Sequence, residues 1–123
     1  MLDDAHALMA QATVQTWLAS LQRRTRLTPQ ECQERVQVLA AFCAYVGQRP
    51  DAIIAACLRD TPTGKTIRSA NRRHYTRQIE AFQRHIPGHL RQQVQHGRVV
   101  RSFFIHNGVM LQTGWQYRHI DKL

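Results

Sequence analysis

The chain has 123 residues, of which 43% are apolar, and its 17 basic and 8 acidic side chains give a formal charge of +9. This length suits a single domain, and the apolar content favours a folded body over a disordered basic tail. No run of about 18 apolar residues is present, and Asp3 and Asp4 stand where a secretory leader carries positive charge, so we expect no membrane segment and a cytoplasmic location.

The first two predicted helices differ in how clearly their ends are marked. Good helix formers and recurring apolar residues predict a first helix from Ala5 to Arg24. The second begins after Thr28, where Thr-Pro-Gln-Glu is a capping box with proline at the first helical position. It ends near Val46, because Gly47 tolerates the left-handed conformation that terminates helices.

Two further helices are separated by a helix-breaking stretch. A short third helix is expected from Pro50 to about Arg59, and the sequence Asp-Thr-Pro-Thr-Gly at 60–64 then interrupts it. The fourth helix is expected from about Thr66 to His85. Its apolar stripe consists of Ile67, Tyr75, Ile79, Phe82 and Ile86.

A fifth helix is expected from about His89 to His106, after the Pro-Gly break at 87–88. It has two apolar faces, one of which contains Val99 and Phe103, and we expect a neighbour on each. Gly97 lies inside this helix and costs about 1 kcal/mol relative to alanine unless a close contact needs it. No alternating apolar pattern supports a sheet. The predicted fold class is all-α, a compact bundle of four to five helices over 1–111, with 112–123 as a tail or linker.

The distribution of charge is uneven along the chain. Nine basic side chains and a single carboxylate, Glu80, lie between Lys65 and Arg101, a formal charge of +8 for that stretch. Clustered cations of this kind neutralise phosphates and release counterions, which indicates a polyanionic partner. The residues predicted to contact double-stranded DNA are Lys65, Arg68, Arg72, Arg73, Arg77, Arg98 and Arg101, followed by Arg23, Arg24 and Arg26.

Two short motifs invite catalytic or nucleotide-binding interpretations. His74 and Arg77 match His-x-x-Arg, but we interpret the match as coincidence, with Tyr75 in the core. The sequence Thr-Gly-Lys-Thr at 63–66 ends like a phosphate loop, yet Arg59 occupies the place of its first glycine. At the predicted helix N-terminus, Lys65 and Thr66 could instead bind a DNA phosphate or simply cap the helix.

Cysteine and histidine patterns favour neither disulfides nor metal. The chain contains three cysteines, Cys32, Cys43 and Cys57, without CxxC spacing. One histidine pair is four residues apart, His85 and His89, but the Pro-Gly break between them keeps them off a shared helix face. We therefore expect buried reduced thiols, no metal, no cofactor and no small-molecule substrate.

The order of these elements resembles the core-binding (N-terminal, SAM-like) domain of the tyrosine recombinase and phage integrase family. Val14 to Leu18 is similar to the family's opening helix, and Leu39 to Gly47, followed by Pro50 and Asp51, is similar to its second helix and the next turn. Val100 to Val109 reads Val-Arg-Ser-Phe-Phe-Ile-His-Asn-Gly-Val and resembles the last core-binding helix with its Asn-Gly stop.

The resemblance covers roughly residues 13–111. It implies a helical half-clamp over duplex DNA, opposite a larger C-terminal domain whose Arg, His-x-x-Arg and Tyr cut and rejoin the strand. By resemblance the whole polypeptide is a recombinase or integrase associated with mobile DNA, whereas this chain holds DNA and has no catalytic residues of its own.

A second hypothesis is a helical protein-interaction module. In that interpretation Val99 and Phe103 mediate self-association and the basic charge keeps the chain soluble. An independent enzyme is disfavoured, because the motifs supply no nucleophile, base and stabilising group together.

Overall fold

The computed structural model describes residues 5–111, which form helices and one short β-hairpin. The elements in chain order are α1 (Ala5–Leu8), α2 (Ala12–Arg24), α3 (Pro29–Val46), α4 (Pro50–Cys57), β1 (Leu58–Thr61), β2 (Gly64–Ile67), α5 (Ser69–His85) and α6 (Leu90–His106). The mostly helical character is confirmed. The prediction that no sheet is present is wrong, and the predicted tail at 112–123 lies outside the described residues.

The ends of α3 are as the sequence predicts. The Thr28 hydroxyl accepts a hydrogen bond from the Glu31 amide at 3.1 Å, and the Glu31 carboxylate accepts one from the Thr28 amide at 2.9 Å. Hydrogen bonding of the Glu31 carboxylate to the backbone and to the side chain of Thr28 lowers the pKa of Glu31, since it favours the charged form. At the other end Gly47 has φ 72°, and its amide donates to the carbonyl of Cys43. Both signals are local, which explains why they are readable in advance.

The first predicted helix is divided into α1 and α2. The Asp51 carboxylate accepts hydrogen bonds from the first amides of α2, at 3.3 Å from Ala12 and 2.9 Å from Thr13. In return the Gln11 side chain accepts from the Asp51 amide at 3.1 Å. The N-termini of α2 and α4 therefore cap each other, and the break in the helix is fixed by a residue about forty positions away in sequence.

The core lies where α5 and α6 pack against α2 and α3. Phe42 of α3 contacts Phe82 of α5 and Phe104 of α6 edge to face, with ring centroids 5.4 and 6.3 Å apart. Phe103 points to the other side of α6, where its ring meets Trp17 of α2 at 5.6 Å. The prediction of two neighbours for α6 is confirmed, and both lie inside the chain.

The burial of Phe103 corrects the docking face suggested by the sequence. Phe103 is 0% exposed, and Val99 is half-buried against the same core. The sequence is compatible with Phe103 in the core or, in the second hypothesis, with both residues on an open surface, because helical periodicity identifies an apolar face without identifying what covers it. Here α2 covers it, so a self-association surface built on Val99 and Phe103 is not available.

Gly97 has the close contact that its position inside a helix predicts. A Cβ at this position would lie 1.8 Å from the side-chain oxygen of Gln83, which reaches across from α5. The glycine therefore lets the two helices approach at this level. It also fixes which side of α6 faces α5.

Candidate nucleic-acid interface

The exposed side of α5 is basic. Arg73, Arg77 and Arg84 follow one another at intervals of four and seven residues, which places them within about 40° of each other around the helix. All three are exposed. They lie opposite the buried stripe that contains Tyr75, so the core contacts of α5 direct the arginines toward solvent.

The outer side of α6 continues this surface. The helices run antiparallel, because Gln83 lies against Gly97 while Tyr75 lies 5.7 Å from Phe104. Arg91 and Arg98 are seven residues apart. Around the axis of α6 they are rotated by about 100° to 120° from Gly97, the residue that contacts α5. Both are exposed. We define the basic face as Arg73, Arg77 and Arg84 of α5 with Arg91 and Arg98 of α6.

The basic-face arginines have no neutralising partner among residues 5–111. The ion pair found in that part of the chain joins Lys65 to Asp60, at 2.6 Å. Glu80 shares the exposed side of α5, and it does not approach an arginine within ion-pair distance. The five positive charges are therefore available to an external anion, and they repel each other without one.

Lys65 and Thr66 are not at a helix N-terminus as predicted. They lie on strand β2, and α5 begins later, at Ser69. Lys65 pairs across the hairpin with Asp60 in an exposed ion pair, which partly neutralises its positive charge. Arg68 occupies the position just before α5, and its side chain is exposed. The phosphate site proposed at a helix start is therefore wrong for Lys65, whereas Arg68 remains accessible beside the basic face.

Arg72 is partly used inside the protein. Its side chain is half-buried, and Nη1 donates a hydrogen bond to the carbonyl of Met110 at 3.2 Å. The neighbouring Val109 and Leu111 are buried in the core. Arg72 thus helps to hold the segment after α6 against the start of α5, and it is less suited to a phosphate than Arg73.

Arg101 is the clearest correction among the predicted contacts. It follows Gly97 by one helical turn and therefore lies on the side of α6 that packs toward α5. Only 9% of Arg101 is exposed to solvent, whereas Arg98, three residues earlier, is exposed. Burial removes Arg101 from the surface that a duplex could touch. The sequence did not reveal this, because a charged side chain inside an otherwise basic segment has no local mark of burial.

A second group of cations lies at the end of α2. Arg23, Arg24 and Arg26 are all exposed. His106, at the end of α6, accepts or donates a hydrogen bond with the Ser20 hydroxyl at 2.5 Å. Burial lowers the pKa of His106, and the nearby charges of Arg24 and Arg23 lower it further. This group therefore adds positive potential near the C-terminal end of α6 without adding a protonated histidine.

The remaining sequence candidates are structural. Tyr75 is buried, its hydroxyl donates to the Gln48 side chain, and burial raises its pKa. The three cysteines are buried thiols outside any disulfide, as expected, and burial raises the pKa of Cys57 to about 11. Within 5–111 no group of three or more histidine, cysteine or carboxylate side chains is arranged to hold a metal ion.

Comparison of the chain with protein-family models, curated proteins and solved structures finds no significant match. Among the described helices, none is long and apolar enough to span a bilayer.

Two arginines of the basic face, Arg84 and Arg91, were absent from the sequence-predicted contacts. Arg84 could have been included, because its spacing from Arg73 and Arg77 already put it on the exposed side of the predicted helix. Arg91 required the orientation of α6, which Gly97 and Phe104 decide through their contacts with other helices.

Proposed function

We propose that this chain is the DNA-binding module of a tyrosine-type recombinase or integrase, in which it holds duplex DNA while a separate C-terminal domain cuts and rejoins the strand. The observation that carries the DNA-binding part is the basic face, with five exposed arginines and no ion-pair partner in the described part of the chain. The recombinase part rests on the resemblance of residues 13–111 alone.

The dimensions of the basic face suit a phosphate chain. Arg73 and Arg84 are eleven residues apart, which on a helix is about 16 Å. Phosphates of one DNA strand rise by about 3.4 Å each along the duplex axis, so α5 is long enough to follow several of them. Arg91 and Arg98 are about 10 Å apart along α6 by the same measure. The two rows could therefore contact the backbone on both sides of a groove.

Charge repulsion supports the same proposal. Exposed helices that need only solubility interleave both signs of charge, since pairs three or four residues apart stabilise the helix. On α5 the three arginines have Glu80 as their one acidic neighbour in sequence, and it forms no ion pair in the described residues. A bound polyanion relieves this repulsion. Contacts of this kind fix position and affinity but carry little base information.

The salt dependence of binding tests the proposal. The chain is titrated at several salt concentrations against a fluorescent mixed-sequence duplex of about 20 base pairs, which at about 3.4 Å per base pair extends beyond both ends of the basic face. Neutralising five phosphates gives a log-log slope of about −4 or steeper. A flat plot, or no binding at low salt, would reject DNA binding. Poly-glutamate of equal charge serves as a control for attraction to any polyanion.

The recombinase part has its own test. Translation of the gene beyond the codon for Leu123 should reveal an Arg, a His-x-x-Arg and a Tyr in frame. Their absence would leave a DNA-binding helical module and remove the assignment to this class of recombinase.

A further inference from the structure

The β-hairpin between α4 and α5 packs against the domain mainly at its base, where the two strands join the helices. Leu58 pairs with Ile67 at the base, both are half-buried, and Leu58 packs against the core. The Arg68 amide donates to the Cys57 carbonyl at 2.8 Å and closes the base. Beyond this pair the strands extend to a two-residue turn, Pro62 and Thr63, and most of their side chains are exposed.

The two faces of the hairpin differ in chemistry. Side chains alternate along a strand, so Asp60 and Lys65 share a face with Leu58 and Ile67, and they form the 2.6 Å ion pair. The opposite face carries Arg59 and Thr66 as a directly facing cross-strand pair, with Thr61 beyond them. Arg59 and Thr66 are both exposed.

Arg59, like the arginines of the basic face, has no ion-pair partner in the described part of the chain. A two-stranded hairpin with polar sides gains little stability from its own contacts, so this face does little to hold the domain together. Strand β2 ends one residue before Arg68, which leads directly into α5 and the basic face. The hairpin therefore leads directly into the helix that carries the basic face, and Arg59 has the same positive charge as the arginines of that face.

We propose that the hairpin enters the major groove of the duplex and that Arg59 and Thr66 contact base edges there. The inference rests on the proposed DNA-binding function and adds a reading element to it. A two-stranded ribbon fits the major groove, which is about 12 Å wide and 8.5 Å deep. Each strand has four residues, a reach of about 13 Å, which is enough to bring this face to the bases.

The side-chain types indicate which base would be recognised. A guanidinium group donates two parallel hydrogen bonds to O6 and N7 of guanine, the commonest specific contact in this groove. A threonine beside it offers a hydroxyl and a methyl group, the latter suited to the methyl of thymine. Lys65 takes no part, because strand alternation places it with Asp60 on the other face. Guanine recognition by Arg59 is therefore the central claim.

Replacement of guanine by 7-deazaguanine tests the claim at one atom. Duplexes that bind the wild-type chain are first selected from a random pool. The selected duplex is then synthesised in two forms, one with guanine and one with 7-deazaguanine. The analogue lacks the N7 acceptor but leaves base pairing, the backbone and the minor groove unchanged. The wild-type chain should bind the guanine duplex more tightly than the 7-deazaguanine duplex, by a factor of about 5 or more. Arg59→Ala should bind both duplexes equally and weakly.

Two control variants separate a base contact from a charge effect. Arg73→Ala should weaken binding to both duplexes by the same factor and make the salt slope shallower by about 1, while keeping the preference for guanine. Arg49→Ala removes an exposed arginine at the start of α4 and should change neither quantity. Circular dichroism and thermal melting should be unchanged in all three variants, because each residue is exposed.

The outcomes distinguish this inference from the function on which it rests. Salt-dependent binding without a preference for guanine, or a preference that survives in Arg59→Ala, would overturn the role of the hairpin and leave the basic face as the DNA contact. Absence of binding to any duplex would overturn both. Loss of the preference in Arg59→Ala alone is the result expected.

Discussion

Charged and polar side chains are used differently in the two halves of the described chain. In α2 to α4 two of the three carboxylates have internal tasks, since Asp51 caps α2 and Glu31 completes the capping box of α3. On the outer sides of α5 and α6 the arginines of the basic face contact no carboxylate within residues 5–111. The first region therefore uses charge to define the fold, and the second presents charge at the surface.

Stability and DNA binding should therefore be separable by mutation. A change in the core or in the caps of α2 and α3 should lower the free energy of unfolding. A change on the basic face or the hairpin should alter DNA affinity and leave the melting temperature nearly constant.

The largest effect is expected from Phe103→Ala. Removal of a fully buried phenylalanine costs about 3 to 5 kcal/mol, through lost burial and the cavity left behind. Chemical denaturation should show this loss as a lower midpoint. Val99→Ala, at a half-buried position on the same side of the helix, should cost clearly less. If Phe103→Ala kept full stability and instead changed the oligomeric state, Phe103 would belong to a docking face after all.

The next effect is expected from the combined change Arg73→Ala, Arg77→Ala and Arg84→Ala. Loss of three phosphate contacts should weaken DNA binding on the order of 10²-fold at about 0.15 M salt and make the log-log slope shallower by about 3. The melting temperature should stay the same. The corresponding three Arg→Lys changes preserve the charge and should retain most of the slope. Unfolding of the alanine variant would show that these side chains support the fold.

A smaller effect, now on stability, is expected from Asp51→Ala. The loss of a cap on α2 should cost about 1 to 2 kcal/mol. Asp51→Asn keeps an acceptor oxygen and should cost less. Both should be measured by denaturation at neutral pH, and DNA affinity measured under native conditions should remain close to that of the wild-type chain.

The contribution of Asp51 should also depend on pH. Burial raises the pKa of its carboxyl, but hydrogen bonds from the Thr13 hydroxyl and from the Thr13 and Ala12 amides lower it more, to below the ordinary value of 3.8. Because the folded pKa is the lower one, the stabilisation is complete above pH 3.8 and is lost as the pH falls through the folded value. The stability difference between wild type and Asp51→Ala should therefore shrink in acid, and an unchanged difference would exclude the charged cap.

The smallest effect is expected from Asp60→Asn. The carboxylate's hydrogen bond and charge interaction with Lys65 lower the pKa of Asp60, so it is ionised at neutral pH. Its removal releases Lys65 and should strengthen DNA binding by roughly 5-fold at about 0.15 M salt. Glu34→Gln, an equal charge change at an exposed position on α3, should have less effect. Equal gains from both variants would point to net charge rather than to the hairpin.

The parts of the fold that sequence predicted are those with local causes. The start of α3 at Thr28, its end at Gly47 and the apolar stripe of α5 each follow from residues within a few turns of one another. The hairpin was missed because β1 and β2 are exposed along most of both faces and so lack an alternating apolar pattern. The break before α2 was missed because its cause, Asp51, lies in a distant part of the sequence.

The site divides in the same way. The sequence by itself determined that positive charge is concentrated in residues 65–101 and that Arg73 and Arg77 lie away from the apolar stripe, because composition and helical periodicity are properties of the chain. Only the tertiary structure decided that Arg98 is exposed while Arg101 is buried, and that Lys65 is paired with Asp60. Such differences depend on which helix or strand lies against each side chain, and those neighbours come from distant parts of the chain.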